Sequence, residues 1–348
     1  MPLASLGSRA AGLRLERVRA SPQFRDGQFR NRTPVVTNLT SETMVPFLSD
    51  YFLGTQRRVP RGPIPTLDPR ESWSRPAETG LRATWLGHST VLLEIDGARV
   101  LTDPVWCSRA SPVSFAGPRR FLPPPVPIAA LPALDVVVIS HDHFDHLDHA
   151  AILELARRDV PFVASLGVGA HLEAWGVPAS RIVELDWWEA HSVAGVTVTA
   201  APAQHFSGRA PGAADLTLWS AMAIRGPRHS VFFSGDTGLT VDYREIRARL
   251  GSFDLVMLEV GAYYSGWRDV HLGPENALTA LSWLGGGALL PVHWGTFDLA
   301  MHAWDEPAEI LAELAPRQSV RLVVPRPGEP VEPARQDRVT PWWREVRR

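Results

Sequence analysis

The stretch "SHDHFDHLDH", residues 140–149, packs four histidines and three aspartates into ten positions of a chain that holds 12 histidines in all. It follows "DVVVI" (135–139), an apolar run that reads as a strand buried on both faces. A loop leaving such a strand opens at the rim of a sheet, where α/β proteins place their sites. Written as spacing, the motif is His-x-His-x-Asp-His: His141, His143, Asp145 and His146. Imidazole and carboxylate are good ligands for zinc, manganese and iron. The two-residue step lets His141 and His143 reach one ion while Asp145 and His146 turn toward a second. A solvated polar loop is the bland reading, and this density directly after an apolar strand argues against it. The same spacing turns Asp142 and His149 away. Asp148 suits the N-cap of the helix expected over "DHAAILELARR" (148–158).

A two-metal site needs more ligands, and three other strand ends offer them. His205 closes the apolar run in "APAQHFSG", Asp236 stands in "FFSGDTG", and His293 in "LLPVHWG". Each sits where a strand meets glycine-containing turn chemistry, which is what a site on one rim requires. Alone, Asp236 would be an ordinary turn aspartate; beside six other ligands it suits a bridging position. His88 in "WLGHST" and Asp103 in "LTDPVW" are candidates to orient ligand imidazoles by hydrogen bonds. His271, just before a helix start in "RDVHLGPENA", is a candidate to touch substrate. His171, His191, His229 and His302 have no such context.

Composition excludes several other chemistries. All 35 basic residues are arginine, so a Schiff-base lysine and a P-loop lysine are both impossible. Biased codon usage accounts for the missing lysine without a functional reason. The single cysteine, Cys107, rules out an internal disulfide, a thiolate zinc finger and an iron-sulfur cluster held by this chain alone, and fits a reducing, cytoplasmic setting. A net charge of -2 gives no sign of a nucleic-acid partner. No apolar run approaches the roughly 18 residues of a membrane span. The start, "MPLASLGSRAAGLRLERVRA", is arginine-rich and acid-poor, as a weak targeting or membrane-surface segment would be, but reads better as an ordered or frayed extension. The 13 tryptophans include the pairs Trp187-Trp188 and Trp342-Trp343, which raise the further possibility of peripheral lipid contact.

Along the chain, residues 1–78 are rich in Arg, Pro and Ser, and "RRVPRGPIPTLDPRESWSRPAE" (57–78) reads as an extended linker. From Leu81, two alternating apolar runs flank Asp96-Gly97, a hairpin signal. The proline-dense piece 117–132 reads as a loop. Strands are then expected at 135–140, 161–165, 195–206, 218–226, 230–238, 253–260, 287–295 and 320–325. Helices are expected at 148–158, 243–250, 274–284 and near 307–314. Such mixing in both halves predicts a layered α/β protein.

These residues carry a resemblance. The sequence is similar to the metallo-β-lactamase superfamily of metal-dependent hydrolases, and within it resembles the N-acyl-phosphatidylethanolamine phospholipase D group and its bacterial relatives. The supporting segments are "TWLGHST", "TDPVW" with "RASP", "ISHDHFDHLD", "APAQHFSGR", "FFSGDTG", "GAY" and "PVHWGTF", in order between residues 84 and 297. The resemblance implies a four-layer αββα sandwich with an N-terminal extension: residues 1–78 as extension or linker, 79–330 as the hydrolase domain, 331–348 as a C-terminal tail. It further implies two divalent ions, zinc first and manganese or iron as alternatives. His141, His143 and His205 would hold one, Asp145, His146 and His293 the other, and Asp236 would bridge.

The expected activity is phosphodiester hydrolysis of phospholipase D type, by a metal-bridging hydroxide, with Asp236 and His271 as catalytic residues. The substrate is then an N-acyl-phosphatidylethanolamine-like or related diester, a phospholipid or small molecule. A lactonase or other carbonyl-ester hydrolase, as in the ascorbate-6-phosphate lactonase group, is the alternative, and a metal-binding protein without activity the third reading. The oligomeric state is open, a homodimer included.

Overall fold

The computed structural model describes residues 3–35, 49, 54–336 and 338–347. Near the N-terminus, β1 (Phe24–Arg25) and β2 (Gln28–Phe29) form a small hairpin. The first large sheet begins with β3 (Leu81–Gly87), β4 (Thr90–Ile95) and β5 (Ala98–Thr102), which are antiparallel. It continues with β6 (Val136–Ile139), β7 (Phe162–Ser165) and β8 (Ile182–Leu185), which are parallel. Asp96 and Gly97 turn the chain between β4 and β5 with φ of 50° and 96°, the left-handed pair that a two-residue hairpin requires.

The second sheet holds β9 (Ala190–Val193), β10 (Val196–Ala201), β11 (Ala221–Arg225), β12 (Ser230–Phe233), β13 (Leu255–Glu259) and β14 (Ala288–Val292), in spatial order β14-β13-β12-β11-β10-β9. A last strand, β15 (Pro330–Val331), returns to the edge of the first sheet beside β3.

Strand periodicity builds the layers. In β6, Val136 and Val138 join a core that also contains Val198, Met222, Phe232 and Met257 of the second sheet. The intervening Val137 and Ile139 pack with Ile152 and Leu155 of the helix His149–Leu155. Successive side chains point to opposite faces, so one face of this strand meets the other sheet and its opposite face meets a helix. Helices Asp242–Leu250 and Gly273–Trp283 place Ile246, Leu278 and Leu281 in the core of the second sheet. The result is the αββα sandwich. Strands β3 to β5 are therefore buried on both faces, and the alternation expected there is alternation between two covered surfaces.

Several expectations change. The segment 320–325 is a single parallel bridge at Leu322–Leu289, held by Leu289 N–H to the Arg321 carbonyl at 2.8 Å and Val323 N–H to the Leu289 carbonyl at 2.8 Å. Pro325 and Pro327 follow and have no N–H to extend it. The segment 57–78 contains one short helix, Arg70–Trp73, whose buried Trp73 donates to Thr84 Oγ1 at 3.1 Å. The first 35 residues include a helix, Gly12–Ala20, and with β2 it supplies Val18 and Phe29 to a core containing Leu166, Trp187 and Trp219.

The segment 331–348, expected as a tail, adds Trp342 and Trp343 to the main core beside Trp294. Both tryptophan pairs are thus covered by protein: Trp187, Trp342 and Trp343 are buried, and half-buried Trp188 lies under the Arg249 guanidinium at 4.3 Å. These pairs are not free for lipid contact. Among the described residues no helix is long and apolar enough to cross a membrane.

Candidate metal centre

The loop after β6 delivers its histidines to the rim between the two sheets. His141 Nε2 and His143 Nδ1 lie 2.9 Å apart, and His205 Nε2, from the loop after β10, lies 3.2 Å from His143 Nδ1. Asp236, after β12, brings Oδ2 to 3.9 Å from His141 Nε2 and 3.7 Å from His205 Nε2. One atom from each of these four residues falls within a 4.8 Å cluster. A second cluster lies alongside: His293 Nε2 is 3.2 Å from Asp145 Oδ2, and His146 Nε2 is 3.7 Å from the same oxygen. Asp236 touches this one as well, with Oδ1 3.1 Å from His146 Nε2 and Oδ2 3.1 Å from His293 Nε2. All seven expected ligand residues therefore meet, and Asp236 stands between the two groups.

Neighbouring groups fix which nitrogen of the His146 and His205 rings faces inward. Asp103 Oδ2 is 2.7 Å from His146 Nδ1 and also accepts from Ser140 Oγ at 2.5 Å, while Asp103 Oδ1 accepts from Ser140 N–H. His205 Nδ1 faces the Val270 carbonyl at 3.0 Å. His88 Nε2 sits 3.0 Å from Asp145 Oδ2, so it joins the second cluster through its hydrogen bond to that carboxylate. Three non-glycine residues here hold left-handed backbone: His88 at φ 53°, Asp103 at 33° and His293 at 63°. Strain of this kind persists only where surrounding structure enforces it, and it gathers at functional sites. Here the enforcement includes His293 N–H to the His88 carbonyl and His88 N–H to Thr296 Oγ1.

The donor set fits divalent cations. His146 Nε2 and Asp236 Oδ1 are buried with no hydrogen-bond partner and face each other. Burial keeps His141 and His205 well below the ordinary 6.5, so both offer lone pairs. Burial also favours neutral His293, but Asp236 and Asp145 outweigh it and push its pKa to about 10. His146 is driven up in the same way by Asp236 and Asp145. The pocket thus demands positive charge where these four residues meet, and a divalent cation supplies it without a proton.

The remaining residues sort by contact. Asp142 turns away, with Oδ2 3.3 Å from His171 Nε2 and Oδ1 accepting from Gly208 N–H. His149 packs on Trp175. Asp148 caps its helix by accepting from Ala150 N–H at 3.0 Å. His271 lines the site, its ring centroid 5.2 Å from that of His205 and 5.5 Å from that of His293, and its Nδ1 is 3.3 Å from Glu259 Oε1.

Three contributors were missed from sequence. Glu259 is fully buried at the end of β13; a lone carboxylate in "LVMLEV" was the available signal. Arg209 donates to the carbonyls of Asp142 and Leu147, bracing the ligand loop from behind. Asn31 clamps His205, donating to its carbonyl at 2.7 Å and accepting its N–H at 3.0 Å. Nothing in the local sequence of either Arg209 or Asn31 pointed to these contacts.

A rim site of this kind on an αββα sandwich defines a metallo-hydrolase, and the comparisons agree. The family described as "Beta-lactamase superfamily domain" matches residues 98–294. The chain belongs to the metallo-β-lactamase superfamily and is a metal-dependent hydrolase of it. It is 46% identical to an uncharacterized protein of Mycobacterium tuberculosis over 98% of this chain and 92% of that one. It is 36% identical to N-acyl-phosphatidylethanolamine-hydrolyzing phospholipase D 1 of Caenorhabditis elegans, over 68% of this chain and 70% of the relative. In fold it is similar to a metallo hydrolase from Ignicoccus hospitalis, with a TM-score of 0.56 and 22% identity over 72% of this chain and 97% of that one.

Proposed function

We propose that the protein is a binuclear phosphodiesterase of phospholipase D type. The observation that carries this reading is Asp236, whose Oδ2 lies 3.7 Å from His205 Nε2 of one ligand cluster and 3.1 Å from His293 Nε2 of the other. His141, His143 and His205 would hold one divalent ion, zinc first, and Asp145, His146 and His293 the other. Two such ions supply Lewis acidity, lowering the pKa of water from 15.7 toward ~7 and offsetting charge on phosphoryl oxygens.

The chain's own residues supply the rest. A pocket of about 220 Å³ opens over the site, with Phe206, Trp267, Val270 and Leu299 in its wall. Its size suits the diester group rather than acyl chains, and its apolar wall limits competing water. Glu259 accepts the Nδ1 proton of His271, which leaves Nε2 to hold or give a proton to the departing oxygen. The 36% identity to a relative named as hydrolysing N-acyl-phosphatidylethanolamine supports that substrate class: a glycerophospholipid with an N-acylated ethanolamine head, cut to release phosphatidate.

Elemental analysis of the purified protein, followed by hydrolysis of bis(p-nitrophenyl) phosphate, an N-acyl-ethanolamine phospholipid and a lactone, tests the reading. Two ions per chain with diester cleavage are expected. Turnover of the lactone alone would overturn it.

A further inference from the structure

His293 lines two cavities at once. One is the metal pocket, and the other is a small space of about 20 Å³ that shares Ala262, His293 and Leu299 with it. His88, Phe297 and His302 also line the smaller one, together with Arg58, which pairs with Asp298 at 3.3 Å. Three buried ring nitrogens belong to this wall: His88 Nδ1, His293 Nδ1 and His302 Nε2. Among the described residues none of the three has a hydrogen-bond partner. Buried polar atoms are rarely left unpaired, and three of them around one small space call for an occupant.

The contact made by each ring's other nitrogen fixes what these three present. His302 Nδ1 lies 2.8 Å from the Ala303 carbonyl, which can only accept, so Nδ1 carries the hydrogen. His88 Nε2 faces the Asp145 carboxylate at 3.0 Å and carries its hydrogen for the same reason. Burial keeps both rings neutral, so His302 Nε2 and His88 Nδ1 present lone pairs. His293 is the reverse. Its Nε2 lies 3.2 Å from Asp145 Oδ2 and 3.1 Å from Asp236 Oδ2, and whether it holds an ion or a proton there, Nδ1 keeps its hydrogen.

Two acceptors and one donor around a space of this size match one water molecule. Water gives two hydrogens and accepts a third. An ammonium ion could not accept the His293 hydrogen, and a metal ion would be repelled by it. The volume fits as well, since one water needs roughly 10–15 Å³ and two to four polar partners.

We propose that a single buried water links His293 Nδ1 to His302 Nε2 and His88 Nδ1, which makes His302 a positioning residue for a metal ligand. Through that water the ring of His302 sets the plane of His293. His302 is itself held by Tyr263, whose ring stacks on it with centroids 4.3 Å apart and planes 10° apart, and whose hydroxyl donates to Glu306 Oε1. The inference rests on His293 as a ligand in the two-ion reading, and not on which bond is cleaved.

A high-resolution crystal structure of the full chain tests the water directly. One water within hydrogen-bond distance of all three nitrogens is expected; an ion in its place, or a cavity without density, overturns the proposal. Chelator competition on the wild type, His302→Phe and His302→Gln reads the positioning role without any substrate. Phe keeps the stacking on Tyr263 but has no lone pair, so metal affinity should fall about tenfold or more while thermal stability stays near wild type. Gln restores an acceptor and should recover part of the loss. Wild-type affinity in His302→Phe would overturn the role of His302. If the wild type binds no metal, the two-ion reading fails by itself, and the density between the three nitrogens alone decides the water.

Discussion

Asp103 Oδ2 lies 2.7 Å from His146 Nδ1, while Nε2 of the same ring points at Asp236 Oδ1 from 3.1 Å. One carboxylate thus sets the tautomer and the ring plane that the site needs, and through Ser140 Oγ, 2.5 Å from Asp103 Oδ2 and 2.9 Å from His141 Nδ1, it also reaches a ligand of the other cluster. Asp103→Ala removes that restraint. Loss of such a partner typically costs 10–100-fold in metal affinity or activity, and chelator competition on the variant is expected to show a weakening of that order. Affinity equal to wild type would mean that packing alone orients His146.

Asp236 joins both clusters, so its removal acts on both at once. Asp236→Ala is expected to abolish diester cleavage with the circular dichroism spectrum of the fold retained, because the sheets on either side pack through residues distant from it. A fully active variant would remove Asp236 from the mechanism.

His271 touches the site without belonging to either four-residue cluster. A proton donor contributes roughly 10²–10⁴-fold, so His271→Ala is expected to lower kcat within that range at unchanged metal content. Glu259→Gln keeps an oxygen for Leu272 N–H, which Glu259 Oε1 accepts at 2.7 Å, but replaces the charged partner of His271. Its kcat should fall less than that of His271→Ala while KM stays near wild type. Unchanged kinetics in both variants would leave the pair a purely structural role.

Much of this site was legible in the sequence because ligand chemistry is local. A histidine at a strand end, such as His205 or His293, advertises itself by the apolar run before it. The contacts that hold the ligands are long-range: His88 was legible beside its glycine while its pairing with Asp145, 57 positions on, was not, and Asn31, 174 positions from His205, left no mark at all. The same limit applies to the fold. Asp96-Gly97 announced its hairpin because apolar runs flank it, whereas Asp26-Gly27 makes the same turn inside an arginine-rich segment where flanking periodicity is absent. The C-terminal tryptophans left lipid contact open beside a core role because burial depends on partners such as Trp294, far away in the chain.

Cys107 gives a test that does not depend on metal. Burial, with the nearby Asp148 carboxylate second, pushes its thiol from the ordinary 9.0 up to about 12. The thiolate is the reactive form. At pH 8 the native protein should therefore alkylate about a thousandfold more slowly than the unfolded chain. The raised value also fixes the direction of the stability change. A folded-state pKa above the unfolded one means that the folded chain holds its proton longer, so this contribution is fully present below pH 9 and is lost as pH rises toward 12. Iodoacetamide labelling followed by mass spectrometry, with and without denaturant, reads the first effect. Thermal melts of wild type and Cys107→Ser above pH 9 read the second, with the wild type losing stability more steeply. Rapid labelling of the native protein at pH 8 would show that Cys107 is more open to solvent and anion than its place beside Asp148 implies.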